Sequence, residues 1–251
     1  MEFKVYHEDD NITFHNQTIV HFSQCSANKQ LSFHELLRLT SDVAVEEYRQ
    51  RGLSRDILSQ AGYAILVSRV SFHINRFPKE NELITVSTWE EKAEALQLIR
   101  AYSITAEDGS SLVEGLSSWL LVDPAARRII PTKKFTMREP SSYQRQNACS
   151  RPTKIIIPQE LTEIASRRVL PSDIDGNGHT NNARYGAFVM DSLPEAYRNK
   201  DFSEMRLNYS KEAMLDQTLK IYAAFDDENK KITLVGKTEE DVSFESELVY
   251  R

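Results

Sequence analysis

Asp173-Ile174-Asp175-Gly176-Asn177-Gly178-His179-Thr180-Asn181-Asn182 runs straight into an apolar, helix-like segment from Ala183 to Leu193. Asp175, Asn177 and His179 stand two residues apart. In an extended segment that spacing predicts three side chains on one side. The trio offers a carboxylate, an amide and a group that titrates near neutrality, which suits hydrolytic proton transfer. Gly176 and Gly178 let the backbone come close to a ligand. The helix that follows would turn its free N–H groups and positive dipole end toward the same spot, where an oxyanion could develop.

Two plainer readings compete. Asp/Gly/Asn-rich segments before helices often serve as turns and caps, and Thr180, Asn181 or Asn182 could each cap this one. The first half of a calcium loop is also matched by Asp173, Asp175, Asn177 and Gly178. Its twelfth position, however, is Arg184 rather than the required bidentate Glu, which argues against calcium.

Outward from this stretch, the chain reads as one pattern written twice. In the first half a strand-like run, Thr18 to Gln24, precedes a helix beginning near Ser32, with Ser32 and Glu35 at capping-box spacing. Phe33, Leu36, Leu37, Val43, Ala44 and Tyr48 recur at helical intervals until Gly52. Long β-like segments follow at 63–74, 82–89, 95–106 and 112–122, with turn signals at Pro78, Asn81 and Asp108-Gly109. After a proline-containing stretch the pattern restarts: a strand near 164–170, a helix near 182–191, and strands near 204–209, 218–225, 231–237 and 242–250. A helix and a meander of antiparallel strands, repeated, predict an α+β fold in which a twisted sheet wraps a helix and the two units pair their sheets. The expected divisions are residues 1–122, a basic linker at 123–159, and 160–251.

The halves differ chemically. Asn28-Lys29-Gln30-Leu31, ahead of the first helix, has neither carboxylate nor His. Aligning Asp216-Gln217-Thr218-Leu219 with Asn81-Glu82-Leu83-Ile84 puts Glu212 opposite Phe77. One site per chain, in the second half, is the expectation.

Composition sets the remaining bounds. With 27% charged and 40% hydrophobic residues over 251 positions, the chain can bury a sizeable core. No run approaches the ~18 apolar residues of a membrane span, and the first ten residues lack a signal peptide's apolar stretch or a transit-peptide composition. Cys25 and Cys149 make neither a disulfide framework nor a zinc site, so a reducing, cytoplasmic setting is expected. A net charge of −6 argues against nucleic acid. Residues 123–168 nonetheless hold ten Lys/Arg against four Asp/Glu, so this stretch is +6 and the rest −12. Such a strip can steer an acidic partner, or it can be a solvated linker. There is no G-x-S-x-G elbow, no H-E-x-x-H and no phosphate-binding Gly-rich loop.

Taken together these residues resemble the acyl-acyl carrier protein thioesterases, double hot-dog enzymes that release fatty acids in plants and many bacteria. The likeness rests on Asp173 through His179, Asn181-Asn182, Tyr185, Asp191-Ser192-Leu193-Pro194 and Leu207-Asn208-Tyr209-Ser210-Lys211-Glu212. Arg76-Phe77-Pro78, Val86-Ser87-Thr88-Trp89 and Ser117-Ser118-Trp119 carry it into the first half. The resemblance implies an acyl carrier protein substrate, attack by water, no cofactor and no metal. It also implies an acyl-chain pocket in the first half and catalytic roles for Asp175, Asn177, His179 and Glu212. Arg127, Arg128, Lys133 and Lys134 are the candidate carrier-docking residues. Plant members often carry Cys directly after the catalytic Glu, where this chain has Ala213, so a thiol nucleophile is not expected. Either Glu212 or His179 could be the general base, with Asp175 expected to fix the His tautomer. An acyl-coenzyme A thioesterase and a non-catalytic acyl-binding sensor are the competing functions, and a homodimer is among the open oligomeric states.

Overall fold

The structure, a computed structural model, describes residues 3–8, 11–139 and 141–251. Met1, Glu2, Asp9 and Asp10 of the N-terminal stretch and Pro140 of the linker lie outside them. The first half runs β1 (Val5–His7), β2 (Phe14–Ile19), α1 (Phe33–Gln50), α2 (Arg55–Gln60), β3 (Ala64–Ile74), β4 (Leu83–Glu91), β5 (Leu98–Ala106), β6 (Ser111–Asp123) and β7 (Arg128–Ile129). The second half runs β8 (Thr162–Arg168), α3 (Asn182–Ser192), α4 (Glu195–Arg198), β9 (Phe202–Tyr209), β10 (Thr218–Asp226), β11 (Lys231–Lys237) and β12 (Val242–Tyr250). Short 3₁₀ turns sit at Phe22–Gln24, Thr132–Lys134 and Pro171–Asp173.

The described strands form one antiparallel sheet in the order β1-β2-β4-β5-β6-β3-β9-β12-β11-β10-β8, with β7 beside β6. The order is a near-mirror about β3 and β9, which join the halves from Arg69 opposite Asn208 to His73 opposite Glu204. Each half lays its long helix across its own sheet. In α1 the buried positions Phe33, Leu36, Leu37, Thr40, Val43, Ala44 and Glu47 follow helical spacing and make one inward stripe. α3 meets α1 at Gly186, where a Cβ would come within 2.6 Å of Leu37 Cδ1 and 3.2 Å of the His34 Cα. A single apolar core, with Phe33, Leu36 and Phe72 from one half and Phe188, Leu219 and Phe244 from the other, runs through both. This is the expected α+β double hot-dog.

Two local expectations are corrected. The Ser32/Glu35 capping box does not form. Ser32 Oγ donates to the Gln24 carbonyl at 3.0 Å, while Glu35 accepts from Arg38 at 2.6 Å and Gln24 at 3.1 Å. A charged guanidinium outcompetes a backbone N–H for the carboxylate. The stretch 123–159 is no free linker either. Tyr143 and Cys149 anchor it on the outer face of the first sheet against Trp89, Ile99, Ala101 and Leu116. Phe135 and Met137 pack with Leu53, Leu58 and Leu121. Main-chain bonds fasten it further, from Lys92 N–H to the Tyr143 carbonyl at 2.7 Å and from Ala148 N–H to Glu114 at 2.7 Å. The prolines break ladder pairing, yet the apolar side chains between them still find a sheet to cover.

Candidate active site

The decisive stretch is a closed loop rather than an extended segment. Ile174 and Thr180 bridge as strand partners. Asp175 N–H donates to the His179 carbonyl at 2.9 Å, and Gly178 N–H donates to the Asp175 carbonyl at 3.0 Å. Gly178 takes φ +82°, the left-handed geometry that closes the turn. The Asp175 carboxylate accepts from the Asn177 backbone N–H at 2.7 Å and from its side-chain amide at 3.3 Å. Asp175 therefore braces Asn177, and the expected Asp175 contact with the imidazole is replaced by another.

That other contact is with Glu212. His179 Nδ1 lies 3.5 Å from Glu212 Oε1, both side chains partly open to solvent. Backbone pins deliver this pair from two distant stretches of chain. Thr180 holds the Ala213 carbonyl twice, from its N–H at 3.1 Å and from Oγ1 at 2.6 Å. Ala213 N–H donates to the Tyr185 hydroxyl at 3.0 Å, one turn into α3. Ser243 Oγ lies 3.3 Å from that same hydroxyl and donates to the Lys211 carbonyl at 2.8 Å. Tyr185, Ala213 and Ser243 are all buried. The neighbour of His179 thus grips the neighbour of Glu212. The sequence reading missed this role for Thr180, Tyr185 and Ser243, because nothing in linear spacing joins residues 28 to 58 positions apart.

Asn181 is the residue that caps α3, accepting from Ala183 N–H at 2.9 Å. Behind the loop, Asp173 is fully buried and bound by Arg184 at 2.8 Å, Arg167 at 3.2 Å and Leu170 N–H at 3.0 Å. Burial alone would raise its carboxyl, but these donors hold it below the usual carboxylate range. Asp173 ties β8, the loop and α3 into one block. Among the described residues no group of three or more His, Cys, Asp or Glu is placed to hold a metal ion.

The first half repeats the scaffold without the chemistry. Cys25 and Leu31 form the equivalent bridge, and Leu31 N–H donates to the Pro78 carbonyl at 2.8 Å, as Thr180 does to Ala213. That register sets Gln30 at the place of His179 and Phe77 at the place of Glu212. Ser26 and Asn28 stand for Asp175 and Asn177, bonded to each other at 2.6 Å.

The cysteines lie apart from this chemistry. Cys149 is buried where the 123–159 stretch packs on the first sheet, and burial pushes its thiol up to about 12. Burial, with Glu80 and Glu35 nearby, also raises Cys25. Of the ten basic residues in the strip, Arg138, Arg151, Arg167 and Arg168 are held in ion pairs, and Arg145 lies over Trp89. Arg127, Arg128, Lys133 and Lys134 are exposed and make no ion pair among the described residues.

Two hot-dog halves fused in one chain, each with a long helix across its own part of one sheet, define the double hot-dog class. Family models match it in both halves: the acyl-ACP thioesterase N-terminal domain over residues 11–137 and the C-terminal domain over residues 158–249. The chain belongs to the acyl-ACP thioesterase family. It is 20% identical over 234 residues to a chloroplastic palmitoyl-acyl carrier protein thioesterase of Gossypium hirsutum, covering 88% of this chain and 57% of that protein. It thus spans little more than half the length of this plant relative. Its fold superposes on an acyl-ACP thioesterase of Bacteroides thetaiotaomicron with TM-score 0.87 and 21% identity, covering 96% of this chain and 99% of that one. The 12:0-ACP thioesterase of Umbellularia californica gives TM-score 0.75 at 14% identity, over 95% and 97% of the two chains.

Proposed function

We propose that this protein hydrolyses the thioester joining a fatty acyl group to acyl carrier protein, with water as the nucleophile. The observation that carries the reading is the 3.5 Å approach of His179 Nδ1 to Glu212 Oε1 at the start of α3, in a chain of this family. Glu212 takes a proton from water as the water oxygen bonds to the carbonyl carbon. The carbonyl electron pair moves onto oxygen, where the first turn of α3 and the Asn177 amide stabilise it. Collapse breaks the carbon–sulfur bond, and the departing thiolate takes a proton from His179. Glu212 then returns its proton to His179 across their contact, leaving free acid and thiol. Asp175 serves by holding the loop that presents Asn177 and His179.

Carrier docking is assigned to Arg127, Arg128, Lys133 and Lys134. β6 and β9 both run antiparallel to β3, so their C-terminal ends lie at the same end of the sheet. The strip beyond β6 and the Glu212 loop beyond β9 therefore share that end, and the four side chains are free to meet an acidic carrier. With Cys25 and Cys149 both free thiols, a reducing, cytoplasmic setting fits this role.

The test is free-thiol release from matched acyl carrier protein and acyl-coenzyme A substrates. Clear preference for the carrier-bound series is expected. Equal rates would make this a carrier-independent thioesterase, and tight binding without release would make it an acyl-binding protein.

A further inference from the structure

The outer face of the first sheet is covered over only part of its area. Leu116 lies under the 123–159 stretch with Trp89, Ile99 and Cys149, which fixes the face to which it points. Alternation along β6 turns Ser118, Leu120 and Val122 the same way. Leu120 stands opposite Leu66 on β3, and Val122 stands opposite Ala64 on β3 and Ile129 on β7. Cross-strand register therefore gathers Ala64, Leu66, Leu120, Val122 and Ile129 into one apolar patch. It is open to solvent: Leu66 is 46% and Ile129 49% exposed, and the other three are half-buried. A single surface leucine needs no explanation, but contiguous apolar surface rimmed by charge marks an interaction site.

The patch sits at the catalytic end of the sheet. β3 pairs with β6 from Ala64 onward, but with β9 only from Arg69, opposite Asn208. The residues from Ala64 to Ser68 thus run on past β9, which ends at Tyr209, three residues before Glu212. The second half has no counterpart to this extension. β3 has 11 residues against 8 in β9, and β6 has 13 against 9 in β12. Ile74 pairs with Val113 as Tyr209 pairs with Phe244. Matching the strands on those pairs puts the additional residues at 64–66 and 120–123, where four of the five patch residues lie. They make a shelf about 5 Å across the sheet from the strand that leads to Glu212.

The rim of the shelf is basic. Arg127 and Arg128 lead into Ile129, and Lys133 and Lys134 follow on the next turn. The acids in this stretch are engaged locally: Asp123 accepts from the Ala125 and Ala126 N–H groups at 3.0 and 2.9 Å, and Glu94 pairs with Arg151. An apolar centre ringed by cations suits an acidic amphipathic helix, which buries its apolar face at the centre and sets its carboxylates against the rim. A second copy of this chain, docked patch to patch, would bring like charges together instead.

We infer that Ala64, Leu66, Leu120, Val122 and Ile129 are the seat for an apolar helix face of the acyl carrier protein, with the four rim cations orienting it. This rests on the thioesterase reading above. The carrier's flexible arm then brings the thioester from the shelf to His179 and Glu212. The cations steer the encounter, and the apolar centre holds the complex once formed.

The experiment is steady-state hydrolysis of acyl carrier protein and coenzyme A esters of one chain length. Leu66→Glu/Ile129→Glu places two anions at exposed positions. It should raise KM for the carrier ester at least ~10-fold with kcat unchanged, the scale of a central interface residue, and move KM for the coenzyme A ester less than about twofold. Leu66→Ala/Ile129→Ala adds no charge and should raise the carrier KM by a smaller factor that persists at high salt, so the idea stays testable if the glutamate pair does not fold. Folded variants with unchanged carrier KM, or equal rises for both esters, would overturn the seat. A wild-type dimer that the glutamate pair splits would make the patch a self-contact and overturn it too. Absence of thiol release from either ester by the wild type would instead overturn the thioesterase reading.

Discussion

Tyr185→Phe isolates the pins that hold Glu212 against His179. The change deletes one oxygen from a side chain that is 2% exposed. It strips the acceptor from Ala213 N–H, a bond of 3.0 Å at a residue that is itself fully buried, and removes the 3.3 Å contact with Ser243. An orphaned buried N–H costs about 1–3 kcal/mol. At ~2–4 °C per kcal/mol for a chain of this size, the melting temperature should fall measurably while folding survives. The Glu212 loop stays tethered, because Thr180 still holds the Ala213 carbonyl twice and Ser243 still holds Lys211. Full misplacement by about 1 Å can cost ~10²-fold, so a loosened but tethered loop should lose roughly tenfold in kcat with KM little changed. The discriminating measurement is single-turnover hydrolysis in a double-mutant cycle with Glu212→Gln. If Tyr185 acts through Glu212, adding Tyr185→Phe to Glu212→Gln should cost less than about twofold. Full multiplicative losses, or a lower melting temperature with unchanged kcat, would refute the reasoning.

Glu212→Gln should lower kcat by on the order of 10²–10⁴, while His179→Ala and Asn177→Ala should each cost at least ~10². A wild-type rate in Glu212→Gln would take that residue off the catalytic list. Asp175→Asn keeps an acceptor for Asn177 N–H and should be mild, whereas Asp175→Ala should lose activity by freeing the loop. Equal losses in the two would restore the tautomer-fixing role. Cys149, raised to about 12, is held as a thiol at neutral pH and should react with Ellman's reagent only on unfolding. A Cys25→Ser/Cys149→Ser variant should stay active, and an acyl group trapped on either sulfur would overturn water attack. Reversing Arg127, Arg128, Lys133 and Lys134 together should raise KM for the carrier substrate more than for the coenzyme A ester, most strongly at low salt. Equal effects would leave the strip a solvated surface.

The elements most readable in the chain were those whose pattern and packing agree. The spans 231–237 and 242–250 match β11 and β12 because they alternate cleanly between turn signals. Elements held mainly by their neighbours were not readable. β1 is three residues, mostly exposed, and exists by pairing with β2. α2 is six residues, too short for a periodic signal. The 123–159 stretch looked like a solvated linker because its anchors, Phe135, Tyr143 and Cys149, are single residues among prolines and charges. Only the sheet they cover shows them to be core.

The site was readable in composition and misread in shape. Asp175, Asn177 and His179 declare a polar cluster, but alternation suggests a strand, and one glycine at φ +82° turns it into a loop. Glu212 has no local signal, since a Glu beside Lys211 at a strand end resembles any solvated charge. It came into view through the resemblance to the thioesterase family, and the aligned first half, with Phe77 at that place, sets it apart. The same comparison explains how one half could abandon catalysis and still be kept. The core is shared, and α1 packs on α3 at Gly186, so the first half supplies apolar surface that the second half buries against. Its inner face carries Arg100 and Ser117 where the second half has Ile232 and Leu248, an exchange of modest cost to stability.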